Sequence, residues 1–175
     1  DVYKRQFEKF VKAHPNHTVV SYVNTTAATK AVTDVVVTSS NAKQIVESLP
    51  KDTPIIFGPD RNLGHYISEQ TGREMLLWDG ACEVHDRFSV EKIQQLKREH
   101  PAAKVLAHPE CPPTVLCLAD KVGSTSALLK YSVENDAQEF IVVTESGILV
   151  EMQRLAPQKT FIPAPPNDSD SPCNE

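Results

Sequence analysis

The chain repeats itself, and nothing else in it constrains the fold as strongly. At a fixed offset of 86 residues, Tyr22-Val23-Asn24 falls on His108-Pro109-Glu110 and Asp34 falls on Asp120. At the same offset Thr38-Ser39-Ser40 falls on Ser124-Thr125-Ser126, Ile55-Ile56-Phe57 on Ile141-Val142-Val143, and Met75-Leu76-Leu77 on Phe161-Ile162-Pro163. Secondary structure alone gives apolar periodicity, but it does not align polar loop residues. We therefore read two copies of one unit, residues 1–82 and 83–175, with the boundary inside 80–88.

Within each copy, short apolar runs alternate with amphipathic segments. TVVSYVN, VVVTSSN, PIIFGPD and EMLLWDG read as strands, separated by the helical segments TAATKAVTD, AKQIVESLP and NLGHYISEQTG. The second copy runs from the helix SVEKIQQLKREHP, capped by Ser89, through AKVLAHPE, PPTVLCLAD, KVGSTS, SALLKYSVEN, EFIVVTE and GILVEMQRLAP to KTFIPAPP. Strands alternating with helices of about ten residues predict an α/β fold of repeated three-layer αβα domains with parallel sheets.

The repeat directs attention to the carboxyl ends of the strands, where ligands of open parallel sheets bind. There, each copy delivers two polar side chains spaced i and i+2: Tyr22 and Asn24 in one, His108 and Glu110 in the other. Side chains at that spacing share a strand face. The next strand of each copy ends in a hydroxyl cluster that opens a helix, TSSN with Ser39 and GSTS with Thr125. Such a cluster is either a set of ordinary helix caps or a cup for a carboxylate or phosphate. Two pairs in matched register favour a site shared between the copies.

The turn WDGACEVHDRF at the junction places Cys82 three residues before His85. That spacing is half of a zinc site with no second half at normal distance, a candidate thiol–imidazole nucleophile, or a free thiol in a hinge. Cys117 is expected in the core on the apolar face of TVLCLAD, and Cys111, before two prolines, in a cap or packing role. The four cysteines lie far apart without a CxxC pair, which argues against a disulfide scaffold.

Charge removes other classes. Net charge is −5 and the 18 Lys and Arg are scattered, so no basic stripe suits a nucleic acid. No apolar run approaches the roughly 20 residues that span a bilayer, and no signal peptide opens the chain, so a soluble cytoplasmic protein is expected. Asp1 at the start and Pro-Cys-Asn-Glu at the end predict a piece of a longer protein.

Several stretches together resemble the quinolinate synthases: YVNTTAATKAVTDVVVTSSNA, IIFGPDRNLGHYISEQTG, LLWDGACEVHDRF, AHPECPPTVLCLADKVGSTSALLKY and FIVVTESGILVEMQRLAPQKTFIPAP. The resemblance runs from about residue 7 to the end. It implies two of three αβα domains arranged around a pseudo-threefold axis, the second and third of the family. It implies a transferase of NAD biosynthesis that condenses iminoaspartate, supplied by L-aspartate oxidase, with dihydroxyacetone phosphate to give quinolinate. It also implies a [4Fe-4S] cluster whose unligated iron acts as Lewis acid. By the same resemblance Cys82 is one cluster ligand, and the other two lie outside this chain, one upstream and one just past Cys173 and Glu175. Tyr22, Asn24, Ser39, His85, His108, Glu110 and Thr125 would bind substrate, and His108, Glu110 and Tyr22 would serve catalysis. A lone cluster cysteine predicts an inactive chain by itself. The competing readings are a non-catalytic anion-binding α/β module and a hydrolase built on the Cys82–His85 pair.

Overall fold

The computed structural model of the chain describes residues 2–166, with side chains from residue 5 onward. It divides into two compact units, Asp1–Ala81 and Cys82–Glu175. The first comprises α1 (Val2–Lys12), β1 (Thr18–Tyr22), α2 (Ala27–Lys30), β2 (Val35–Val37), α3 (Ala42–Ser48), β3 (Ile55–Phe57), α4 (Arg61–Thr71) and β4 (Leu76–Leu77). The second comprises α5 (Glu83–Asp86), α6 (Val90–Glu99), β5 (Lys104–Ala107), α7 (Pro113–Leu116), β6 (Lys121–Val122), α8 (Thr125–Glu134), β7 (Glu139–Val143), α9 (Ile148–Leu155) and β8 (Thr160–Pro163). Each unit has a four-stranded sheet, β2-β1-β3-β4 or β6-β5-β7-β8, and every pairing within them is parallel.

Alternation along the strands explains the three layers. In the first unit Val19 and Ile56 face α1 with Phe7, Phe10 and Trp78, while Val20, Ile55 and Phe57 face α3 and α4 with Val46, Leu63 and Ile67. In the second, Val105, Ala107, Ile141 and Val143 pack with Ile93 of α6 and Val115 of α7. Leu106, Phe140 and Val142 pack with Leu128 of α8 and Met152 of α9. Two central strands buried on both faces need apolar side chains at nearly every position, as in VV, IIF, VLA and FIVV, and the one buried polar exception, Ser21, donates to Gly58 O at 2.9 Å. Gly64 lets α4 lie close on its sheet, since a Cβ there would come within 2.8 Å of Phe57 and Leu77.

The structure corrects one register of the repeat. Thr18 pairs with Ile55, whereas Lys104 pairs with Phe140, so the third strand is displaced by 85 residues rather than 86. Ile55-Ile56-Phe57 therefore matches Phe140-Ile141-Val142 and not Ile141-Val142-Val143. A one-residue slip in a strand exchanges its faces. The sequence match at 86 would set Ile55 in the layer equivalent to that of Ile141, on the wrong side of the sheet; at 85, Ile55 and Phe140 share theirs.

Other repeated details hold at 86. Asp34 and Asp120 each end the connection into the second strand and accept a hydrogen bond from the first. Val19 N–H donates to Asp34 Oδ2 and Val105 N–H to Asp120 Oδ2, both at 2.8 Å. The aspartates return their own N–H to the carbonyls of Val19 (2.9 Å) and Val105 (2.8 Å). This two-way clamp also explains why TAATKAVTD and PPTVLCLAD, expected as full helices, form only the single turns α2 and α7. The chain must leave the helix early to bring the aspartate onto the strand. Cys117, expected in the core, is consequently the C-terminal cap of α7 and is exposed.

A second device was not anticipated from sequence. Arg73 donates to the carbonyls of Val46 (3.1 Å) and Leu49 (2.7 Å) at the end of α3, and to those of Pro50 and Thr53 (2.9 Å) in the loop that follows. Lys159, at the equivalent position, donates to Ser132 (2.8 Å), Val133 (3.3 Å) and Asn135 at the end of α8. Each cation satisfies carbonyls that a helix leaves without partners and sits at the negative end of its dipole.

Candidate metal and proton-transfer site

In the second unit the chain runs from β5 to β6 on one side and then crosses to β7 on the other. The gap between the carboxyl ends of β5 and β7 is thus a topological switch point, the place where open α/β sheets bind ligands. His108 directly follows β5 and Thr144 directly follows β7.

His108 and Glu110 do come together, but not through a strand pleat. The strand stops at Ala107, and residues 108–111 make a tight turn in which Cys111 N–H donates to His108 O at 3.0 Å. Glu110 N–H reaches back to His108 Nδ1 at 3.4 Å, and Glu110 Oε2 lies 3.3 Å from the same nitrogen. Both side chains are buried.

Cys82 and His85 meet because Cys82 is the N-terminal cap of the one-turn helix α5 and His85 lies three residues on, over the same side. His85 Nδ1 is 3.3 Å from Cys82 Sγ and 3.3 Å from Glu110 Oε2, and its ring stacks on His108 with centroids 4.7 Å apart. On its other side His85 Nε2 is 3.0 Å from Thr144 Oγ1. Burial lowers the His85 pKa to about 4, with Glu110 opposing and neighbouring His108 adding to the shift, so the ring is neutral at pH 7. Burial likewise raises the Glu110 carboxyl above its ordinary value, against the pull of His85.

Donor atoms of Cys82, His85 and Glu110 lie within 4.8 Å of one another and could hold a metal ion. Glu110 is the partner that spacing could not supply for the Cys82–His85 pair, since it arrives from the far end of β5. A half-buried thiol beside a neutral imidazole and a carboxyl suits a single thiolate ligand to iron or zinc. Cys111 does not: it is buried in the core with its thiol directed at Val143 O, 3.5 Å away. Cys173 lies outside the described residues.

The remaining candidate residues also lie at carboxyl ends of their own sheets. Tyr22 closes β1, is half-buried, and donates its N–H to Pro59 O at 2.8 Å, while Asn24 is exposed two residues further on. Ser39 is half-buried in the turn before α3. There Asn41 Oδ1 accepts from Thr38 N–H (2.7 Å) and Oγ1 (3.1 Å). Ser124 is an ordinary cap, accepting from Ala127 N–H at 3.3 Å, and this leaves Thr125 exposed at the first position of α8. Sequence reading missed Thr144. Its signal was available: it is the first polar residue after the fully apolar FIVV, at the third strand end of the repeat.

A parallel α/β unit with a half-buried thiol, two buried imidazoles and a buried carboxyl at its switch point belongs to the ligand-binding α/β proteins. A family model described as NadA, quinolinate synthetase A protein, matches residues 1–175, and the chain belongs to that family. It is 56% identical over 169 residues to a quinolinate synthase of a Synechococcus strain, covering 97% of this chain and 53% of the relative. It is equally 56% identical over 170 residues to that of Trichodesmium erythraeum (97% and 52%), and 53% identical over 171 residues to that of a Synechocystis strain (98% and 54%). The chain spans about half the length of the curated relatives it matches.

Proposed function

We propose that the chain supplies the second and third domains, residues 1–82 and 83–175, of a quinolinate synthase acting in de novo NAD biosynthesis in the cytoplasm. Iminoaspartate, provided by L-aspartate oxidase, and dihydroxyacetone phosphate are the substrates. The observation that carries this reading is the clustering of half-buried Cys82 with buried His85, Glu110 and His108 at a switch point in a chain of this family.

The residue types suit the reaction. Both substrates are anionic, and Asn24, Ser39 and Thr125 offer amide and hydroxyl groups near helix starts to carboxylate and phosphate oxygens. Condensation and dehydration require protons to move. Glu110, its carboxyl pushed up by burial, is suited to give and take a proton, with His108 as its neighbour at 3.3 Å and Tyr22 as a further donor. Cys82 would hold a [4Fe-4S] cluster with two cysteines from outside this chain. When bound, the cluster supplies a Lewis-acidic iron that polarises a leaving hydroxyl.

The test is Glu110→Gln in the full-length enzyme, which keeps the shape and removes the exchangeable acid. A fall in kcat of about 10²–10⁴-fold with KM little changed is expected. A raised KM with unchanged kcat would move Glu110 to binding and leave proton transfer to His108. The 3.3 Å contact between Cys82 Sγ and His85 Nδ1 favours one second reading, a thiol hydrolase. Thiol-dependent turnover by the iron-free chain would establish it in place of the first.

A further inference from the structure

The turn between α1 and β1 carries two histidines that the switch-point group does not use. His14 and His17 are both half-buried, with ring centroids 5.3 Å apart and planes inclined at 74°. Backbone bonds hold the turn: His14 N–H donates to Val11 O at 3.0 Å and His17 N–H to His14 O at 3.1 Å. The His14 ring is held as well. Its Nδ1 lies 2.8 Å from Phe10 O, and it packs on the Phe10 ring with centroids 4.9 Å apart. A carbonyl oxygen only accepts, so Nδ1 is the donor, and in the neutral ring Nε2 carries the lone pair. Metal-ligating histidines characteristically give their other ring N–H to a carbonyl or carboxylate, which fixes the direction of the ring.

His17 supplies the complementary feature. Its Nδ1 is buried and has no hydrogen-bond partner among the described residues. Buried polar atoms are as a rule satisfied by protein, water or an ion, so this nitrogen marks a place for a ligand. The spacing of the rings suits a single ion held by both. With metal–nitrogen bonds of about 2.0–2.1 Å, each centroid lies about 3.2 Å from the ion, and an angle of about 90–120° between ligands separates the centroids by about 4.5–5.5 Å. The observed 5.3 Å lies within that range.

We propose that His14 and His17 form a metal site of their own in the first unit, for a divalent ion that favours imidazole, such as Ni²⁺, Zn²⁺ or Cu²⁺. His14 coordinates through Nε2 and His17 through Nδ1, and water fills the remaining positions. The site shares no residue with the Cys82–His85–Glu110 group and does not depend on the function proposed above.

The experiment is a titration of the ¹⁵N-labelled 175-residue chain with Ni²⁺, followed residue by residue as paramagnetic broadening of amide signals. This separates an ion at the end of α1 from one at Cys82. Saturable broadening centred on residues 13–18 is expected, with Zn²⁺ competing for it. His14→Gln and His17→Gln should each weaken that binding by at least about 10-fold and leave any other effect of Ni²⁺ unchanged. A lack of broadening at residues 13–18 in the unsubstituted chain overturns the proposal, whether or not the variants fold. So does broadening there that survives either substitution, because a single imidazole would then be the binder. Equal, non-saturating broadening around His65 and His100 would mean weak binding by any half-exposed histidine, and it overturns the proposal too.

Discussion

At the scale of single residues, the three described cysteines occupy three different environments, and reactivity should follow them. Cys117 is exposed, Cys82 half-buried beside His85, and Cys111 buried. Mass-mapped alkylation of the native chain should modify Cys117 first, Cys82 more slowly, and Cys111 only on unfolding; early modification of Cys111 would contradict its packing. In the full-length enzyme, Cys82→Ala should abolish the brown iron–sulfur absorbance and the activity, whereas Cys117→Ser should keep both and change stability by less than about 0.5 kcal/mol. The residue types at Cys82, His85, His108 and Glu110 marked them in the sequence. Which of them touch did not show there. Glu110 and Cys82 are 28 positions apart, and their meeting depends on where a one-turn helix and a tight turn end up on the sheet.

At the scale of elements, stability concentrates where helices and strands end. Lys159→Met removes the donor to three carbonyls at the end of α8 in a buried setting and should cost about 2–3 kcal/mol, read as a lower urea midpoint. Lys159→Arg should recover part of this, because Arg73 does the same work in the first unit. The Asp120 clamp carries a pH signature. Burial raises its carboxyl, but the Val105 N–H and the cations Lys104 and Lys97 outweigh burial and hold it below its ordinary value of 3.8. A carboxyl depressed on folding contributes stability that is fully present above 3.8 and is lost as pH falls through the folded value. The gap in melting temperature between the unsubstituted chain and Asp120→Asn should therefore be full at pH 7 and close below 3.8. A gap that persisted at pH 2 would show that charge is not what the aspartate contributes. The helix pattern of AKQIVES, SVEKIQQLKREH and GILVEMQRL was legible from apolar spacing. The truncation of α2 and α7 was not, because the aspartate clamp that ends them is a contact with another strand.

At the scale of the whole molecule, each unit is wound alike around its two central strands, β1 with β3 and β5 with β7. Amides of these strands should exchange hydrogen most slowly within their own unit, and those of the edge strands β2 and β6 faster, as mass-resolved exchange would show. Equal protection of edge and centre would contradict the strand order. The sequence by itself determined the α/β class, the two copies, the parallel order implied by alternation, and the strand ends where chemistry should be sought. These depend on periodicity and repetition, which are local properties of the chain. Only the tertiary structure decided that the third strand is displaced by 85 residues instead of 86, since apolar residues on both faces of a buried strand make neighbouring registers look alike in sequence. It also decided that Lys159 caps α8 across 24 residues and that Thr144 stands behind His85 across 59. A hydrogen bond between distant positions leaves no period in a sequence; packing around the sheet creates it.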